Sequence, residues 1–261
     1  MSDTEKLYYY AKVATGIEHI LSKMEIICNP LIKLSDPFEN KHIQLTGVGN
    51  NPLKASDKHS EFREKLQTKI VNSYKITCFC IDRKIGEKTI NGWSLPRMWD
   101  QYADRQKGLC LRIDKKKFLE ENKSKILYKG IVKYDIEIPK VTIDIPLKKG
   151  AKPDISKFIK TKRKDLFFYK NYNYEGEQEY RVIRESSNKD QEYFSIKNSL
   201  EAIILGFDFN LNYLPAIKKL SKPSNSIQKL NISKDGYFTS CYINDQGYYS
   251  EMEDGLLSGD L

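Results

Sequence analysis

The sequence predicts a single α+β domain, and three observations lead there. Segments of strand composition and segments of helical periodicity mix without strict β-α-β alternation, which argues against a doubly wound parallel sheet. Neither Gly-x-Gly-x-x-Gly nor Gly-Lys-Ser/Thr occurs, so the phosphate-binding turns of the dinucleotide-binding and P-loop folds are missing. The 261 residues are 39% hydrophobic and include 17 Tyr, 11 Phe and 2 Trp. That is enough large apolar surface for one sizeable core, and it weighs against disorder.

In chain order, Leu7–Tyr10 reads as a short aromatic strand. Thr15 suits a helix N-cap, with Ile17, Ile20, Leu21 and Met24 at helical spacing behind it. Residues 29–40 and 46–58 read as loops, and a helix with Phe62, Leu66 and Ile70 on one face follows Ser60. Lys75–Ile81 is a buried strand by composition. Ser94 and Pro96 fit the N-cap and first position of a helix carrying Met98, Trp99, Tyr102 and Ala103. Gly108–Asp114 is a strand, 115–122 a short basic helix, and 125–134 a further strand. Residues 135–153 are extended and punctuated by proline, and an amphipathic helix covers 155–169. Strands follow at Glu177–Arg184, Tyr193–Ile196 and Ala202–Gly206, then a helix near Leu211–Leu220 and strands at Ser226–Ile232 and Tyr237–Ile243. The domain is expected to span 1–249. The remaining 250–261, with four acids and no base over the last eleven residues, reads as an acidic flexible tail.

The formal net charge of +9 favours anionic partners without identifying one. No apolar run approaches the roughly 18–20 residues of a membrane span, and the first residues lack a signal-peptide core, so the cytoplasm is the expected compartment. Five cysteines (28, 78, 80, 110 and 241) form no Cys-x-x-Cys, and His19, His42 and His59 stand far apart, so no metal is expected. The oligomeric state is not readable.

Four features carry chemical potential. In Lys170-Asn-Tyr-Asn-Tyr-Glu-Gly-Glu-Gln-Glu-Tyr-Arg181, a strand would place Glu177, Glu179 and Arg181 on one face. That arrangement is either a cleft with carboxylates of separated acidity or a solvated face with an ion pair. Cys78 and Cys80 share a strand face, either as small buried residues or as a nucleophile needing a distant histidine. Trp99 and Tyr102 are either core or an aromatic wall for a planar ring. Residues 140–170 hold ten Lys or Arg against three Asp, with Phe158, Phe167, Phe168 and Tyr169 interleaved. Such a segment is either a solvated helix face or a surface for single-stranded nucleic acid or a nucleotide phosphate.

The order of motifs says more than any one of them. Leu7-Tyr-x-Tyr, a Gly16-to-Leu21 helix, Ser35-Asp-Pro-Phe-Glu39, Ile76-Thr-Cys-Phe-Cys80, Met98-Trp-Asp-Gln-Tyr-Ala103 with Gly108 and Asp114, Glu177-x-Glu-x-Arg181 and Ile204-Leu-Gly206 follow one another. Over residues 7–206 this resembles the bacterial domain-of-unknown-function 2971 family. Ser35 stands for that family's usual Asn, Tyr174 for its Trp, and Cys78 and Cys80 where serines are common. The family's layout is in turn similar to the ADP-ribosyltransferase fold, which implies split, mostly antiparallel β-sheets flanked by helices, with NAD held between them.

The resemblance implies a site built from Tyr8 or Tyr10, Cys78 and Cys80, and Glu177 and Glu179. Glu179 would hold the ribose and stabilise positive charge at C1 of an oxocarbenium-like state. Glu177 would orient the acceptor or take its proton. Tyr10, Trp99 or Tyr102 would stack on a ring, and Arg181 or Arg112 would meet the pyrophosphate. Cysteine in place of serine weakens the hydrogen bond to a ribose hydroxyl. The implied activity is NAD-consuming ADP-ribosyl transfer or NAD glycohydrolysis, as in a bacterial toxin or phage-defence effector, with a nucleic-acid or protein acceptor on 140–170. The alternatives are a nucleic-acid-binding or -processing protein, or a catalytically silent interaction module.

Overall fold

The computed structural model describes residues 5–33, 46–47, 52–137, 142–143, 154–187, 191–234, 238–243, 249–254 and 256–257. The Ser35–Glu39 motif lies outside the described residues, as do 138–141 and 144–153 of the expected extended segment.

Eleven strands of the described residues make one large sheet: β1 (Lys6–Ala11), β2 (Glu25–Pro30), β3 (Tyr74–Cys80), β4 (Leu109–Asp114), β5 (Tyr128–Ile131), β6 (Glu179–Glu185), β7 (Glu192–Ser195), β8 (Leu200–Leu205), β9 (Ser226–Ile232), β10 (Phe238–Ile243) and β11 (Tyr249–Asp254). The order is β7-β2-β3-β1-β4-β8-β9-β10-β11, with β6 and then β5 branching from β3. Within it only β8 and β9 run parallel; every other pairing is antiparallel. Among the described residues five α-helices flank the sheet: α1 (Pro52–Ser73), α2 (Pro96–Tyr102), α3 (Lys115–Glu121), α4 (Ile155–Phe167) and α5 (Leu214–Leu220). The mixed, mostly antiparallel architecture is the one expected.

The strand period of two sorts side chains onto two faces. Leu7, Phe79, Leu111, Ile113, Tyr180 and Val182 join the main core on one face. Tyr8, Tyr10, Cys80 and Cys110 pack on the other with Trp93, Met98 and Trp99. A second cluster under α1 and α4 gathers Phe62, Leu66, Ile76, Ile159, Phe167 and Ile183.

Several boundaries differ from expectation for local reasons. Helical backbone begins at Val13, so Thr15 lies inside it, and Thr15–Leu21 winds as a π-helix with no side-chain cap. Residues 25–30 form β2, although Asn29 and Pro30 look like loop. Pro30 sits at the strand end, where its missing N–H costs no interior ladder bond. Helix α1 opens at Pro52, well before Ser60, as a proline in the first turn allows. The N-cap position of α2 falls on Leu95, whose side chain makes no cap, and the Ser94 hydroxyl donates to the Asn91 carbonyl; Asp114 and Asp154 cap α3 and α4. Part of the expected tail is strand: Tyr249–Asp254 pairs with β10 and Leu256–Leu257 with Lys88–Ile90.

The turn leaving α2 is strained. Asp104, Arg105 and Gln106 stand at φ of 51°, 53° and 66°, each costing roughly 1–2 kcal/mol for a residue with a Cβ. The turn is held by the Gln106 N–H on the Trp99 carbonyl and the Asp208 N–H on the Gln106 carbonyl, both 3.0 Å. Gly206 lets the chains approach this closely, because a Cβ there collides with the Gln106 carbonyl oxygen and its carbon. Gly206→Ala is expected to lower stability by about 3 kcal/mol, the upper end for overpacking, since backbone rather than a flexible side chain must move. Urea unfolding measures it.

Candidate active site

The site arises from a fork in the sheet. Strand β6 occupies one entire edge of β3, from Glu179 opposite Cys80 to Glu185 opposite Tyr74. The other edge is shared. Strand β2 pairs with its start, Asn29 opposite Ile76 and Pro30 opposite Lys75, and β1 meets it only where Tyr8 faces Cys80. Between them β1 and β2 diverge, and the Thr77 hydroxyl reaches across to the Ile27 carbonyl at 2.9 Å. A cavity of about 220 Å³ opens at this fork, walled by Tyr8, Tyr9, Tyr10, Cys78, Cys80 and Tyr102. Lys170, Glu177 and Glu179 line one side of it, and Asn29 and Lys33 the side given by β2 and the turn after it.

The expected residues divide cleanly. Tyr8, Tyr10, Cys78, Cys80, Tyr102, Glu177 and Glu179 come together at the cavity. Trp99 and Arg181 do not line it. Trp99 is fully buried, its ring edge-on to Tyr10 at 5.2 Å and its indole N–H donated to the Trp93 carbonyl at 2.7 Å. Arg181 is 2% exposed and wholly engaged inside the protein, so it cannot reach a pyrophosphate. Arg112 points toward Glu201, 4.0 Å away, and is not at the cavity either.

Glu177, Glu179 and Arg181 are no solvated strand face. With Lys170 they form a buried quartet, at 4%, 3%, 2% and 5% exposure in that order for Glu177, Glu179, Arg181 and Lys170. The Glu179 carboxylate accepts from Arg181 Nε at 2.6 Å and Nη2 at 3.0 Å, a bidentate pair. Arg181 Nη1 donates to the Phe167 carbonyl at 2.9 Å. Lys170 Nζ lies 2.7 Å from Glu177 Oε2, 3.4 Å from Glu179 Oε2 and 4.6 Å from the centre of the Tyr174 ring. Two cations balance two anions, as burial demands.

Glu177 is not on the strand. It closes a 3-10 turn, Tyr172–Glu177, and Gln178 then adopts φ 48° before β6 begins. This left-handed residue, unusual for a side chain with a Cβ, swings Glu177 back beside Glu179 over Lys170. The Gln178 carbonyl accepts from the Ile81 N–H at 3.0 Å and pins the turn to the end of β3. The turn is also clamped to α2 by Arg97, which donates to the Asn173 carbonyl at 2.9 Å and lies 5.2 Å from the centre of the Tyr174 ring.

One oxygen of the quartet has no partner. Glu177 Oε1 is buried and accepts no hydrogen bond within the protein. A buried, unmatched carboxylate oxygen costs on the order of 1–3 kcal/mol or more, and Glu177 is one of the residues that line the cavity.

Charge states follow from these neighbours. Burial alone pushes Glu179 up, but Arg181 and then Lys170, with hydrogen bonds from Arg181 and Cys78, more than reverse it and hold the carboxyl at about 2. The sign sets a stability window. A carboxyl held below its ordinary 4.5 adds stability above that pH and loses it as pH falls toward 2. Thermal unfolding of the wild type should therefore fall more steeply between about pH 4.5 and about 2 than that of Glu179→Gln, in which this titration is absent. Burial raises the Cys80 thiol well above its usual range, so Cys80 is a neutral, weakly polar group and no nucleophile. Burial, then the charge and hydrogen bond of Asp82, push Tyr8 up likewise, and it faces the cavity as a neutral phenol.

Lys170 was not singled out in the sequence. Its place depends on the parallel pairing of Tyr169–Asn171 with Lys133–Asp135, which puts Lys170 inside and brings the Tyr134 hydroxyl to 2.9 Å from the Glu179 N–H as its acceptor. Asn29 and Lys33 are likewise not among the expected site residues, since 29–40 reads as loop.

A family model described as "Protein of unknown function (DUF2971)" matches residues 98–182. That stretch runs from α2 to the middle of β6 and includes the strained turn, Lys170 and the Glu177–Arg181 quartet. The chain is similar to that family there, as the motifs suggested. Neither a curated protein nor a solved structure matches the chain.

Proposed function

We propose that the chain cleaves the nicotinamide–ribose bond of NAD and passes ADP-ribose to an acceptor or to water, on an ADP-ribosyltransferase-like arrangement of the forked sheet. The observation that carries this reading is Glu177 Oε1, a buried carboxylate oxygen without a partner, beside a tyrosine-walled cavity. Nicotinamide leaves neutral and needs no general acid. What the protein must supply is a fixed negative oxygen near C1 of the ribose and an apolar slot for the ring.

The roles divide differently from the sequence expectation. Glu179 is saturated by Arg181 and Lys170 and acts as a positioning residue: it holds Lys170, which in turn holds Glu177 by its other oxygen. Glu177 is the carboxylate left to accept from a ribose hydroxyl or from the attacking nucleophile. Tyr10 and Tyr102 supply ring surface, in the place expected of Trp99. About 220 Å³ is below the roughly 300–1,000 Å³ of sites that enclose a drug-sized ligand. It suits the nicotinamide–ribose end, with the pyrophosphate leaving past Lys33, exposed at the rim. Incubation with NAD should release free nicotinamide, read by chromatography. No release, with or without added acceptor, rejects the reading.

A further inference from the structure

A second cleft lies on the far side of β6 from the cavity. Strand β5 pairs with β6 along one edge, Tyr128 opposite Ile183 to Ile131 opposite Tyr180. Among the described residues no strand pairs with its other edge. The end of α4 and the following Phe168 and Tyr169 pack beside β5, leaving a groove of about 500 Å³. Gly130 permits this: a Cβ there would press within 3.3 Å of the Phe168 ring.

The lining is strongly biased. Lys129, Lys133, Arg163 and Lys164 face a single acid, Asp165. Among the described residues no carboxylate forms an ion pair with any of the four. Two of them instead lie against rings: Arg163 is 5.9 Å from the Tyr128 ring centre, and Lys133 is 5.9 Å from that of Tyr169. Lys129, Lys133 and Lys164 are exposed. The basic character expected over 140–170 therefore gains a definite place, but half of its cations come from β5 and the strand after it.

We propose that this groove binds single-stranded nucleic acid. Cations that meet no carboxylate among the described residues (Arg163 donates to the Lys160 carbonyl) attract a polyanion into a recessed channel, and interleaved rings give flat apolar surface on which bases stack. A duplex presents its phosphates on a stiff convex surface and meets only the rim, whereas a flexible single strand can enter. The inference stands apart from the NAD reading, since no residue is shared. Its geometry adds one relation: Tyr169 lines the groove and the next residue, Lys170, lines the cavity, so the two sites lie back to back across one strand.

The test uses fluorescence anisotropy of the full chain with a labelled single strand of about 12 nucleotides. Four engaged cations predict a slope of log affinity on log salt near −3. Lys129→Glu, Lys133→Glu and Lys164→Glu together should weaken binding at least about tenfold. The same charge change placed elsewhere, Lys84→Glu, Lys116→Glu and Lys117→Glu, should weaken it far less. A triple exchange of the groove lysines to Gln, which introduces no repulsion, guards against misfolding and should weaken binding in the same direction. Equal losses in groove and scattered variants, no binding at low salt, or equally tight binding of inorganic polyphosphate of the same charge would each overturn the proposal. None of these readouts depends on NAD turnover, so either reading can fail alone.

Discussion

Arg181→Met should cost the protein about 3–5 kcal/mol, the penalty for stranding one partner of a buried ion pair. The guanidinium is buried and donates, among its contacts, two hydrogen bonds to Glu179 and one to the Phe167 carbonyl. Methionine fills much of the volume but leaves a buried carboxylate whose charge is met by Lys170 at 3.4 Å and the neutral Cys78 thiol, and Glu179 should then take up a proton well above pH 2. Replacing both members together, Arg181→Met with Glu179→Leu, should recover much of the loss, because a matched apolar pair no longer pays for desolvation. Urea unfolding of the three variants gives the comparison. A loss below about 1 kcal/mol for the single change, the worth of a surface pair, would mean that the quartet is solvated and that Glu179 holds nothing in place.

Glu177→Gln should lower NAD turnover by about 10²–10³, the usual effect of losing one preorganised electrostatic group. The amide keeps the shape and still offers an oxygen, but it removes the charge opposite the developing oxocarbenium. Binding of NAD should change little, because the interaction strengthens only as charge develops at C1. Folding should suffer less than in Arg181→Met. Lys170 retains Glu179 as a charge partner, and the Oε1 position had no bond to lose. Turnover of the Gln variant within a factor of about 3 of wild type would move the chemistry to another residue, since an effect that small is under 1 kcal/mol of transition-state binding.

Most of this site was legible along the strands. Alternation in β1, β3 and β6 correctly places Tyr8, Tyr10, Cys78, Cys80 and Glu179 on one face, because period two is a property of extended backbone itself. Their approach in space could be inferred only from motif order. Alternation fails at Glu177, where a 3-10 turn and one left-handed residue replace the strand. No propensity marks Gln178 for φ 48°; the Ile81–Gln178 hydrogen bond and the ion pairs impose it.

Lys170 was hidden for another reason. A lysine in a basic stretch reads as solvated, and only pairing with a segment some 36 positions earlier buries it. Trp99 is open to two readings from sequence, and the core one holds. A tryptophan on an amphipathic helix offers a ring to a ligand or to the core, and the indole N–H chose the Trp93 carbonyl. The fork itself needs β2, whose Asn29 and Pro30 look like loop and pair for only two positions.

The most direct test of the account is a crystal structure of the Glu177→Gln protein with NAD, whose slow turnover should keep the dinucleotide intact. The nicotinamide ring is expected in the fork between β1 and β2, against Tyr10 or Tyr102, with a ribose hydroxyl within about 3 Å of the residue-177 side chain and the pyrophosphate beside Lys33. NAD bound elsewhere on the sheet, or a fork that stays empty at saturating NAD, would contradict it.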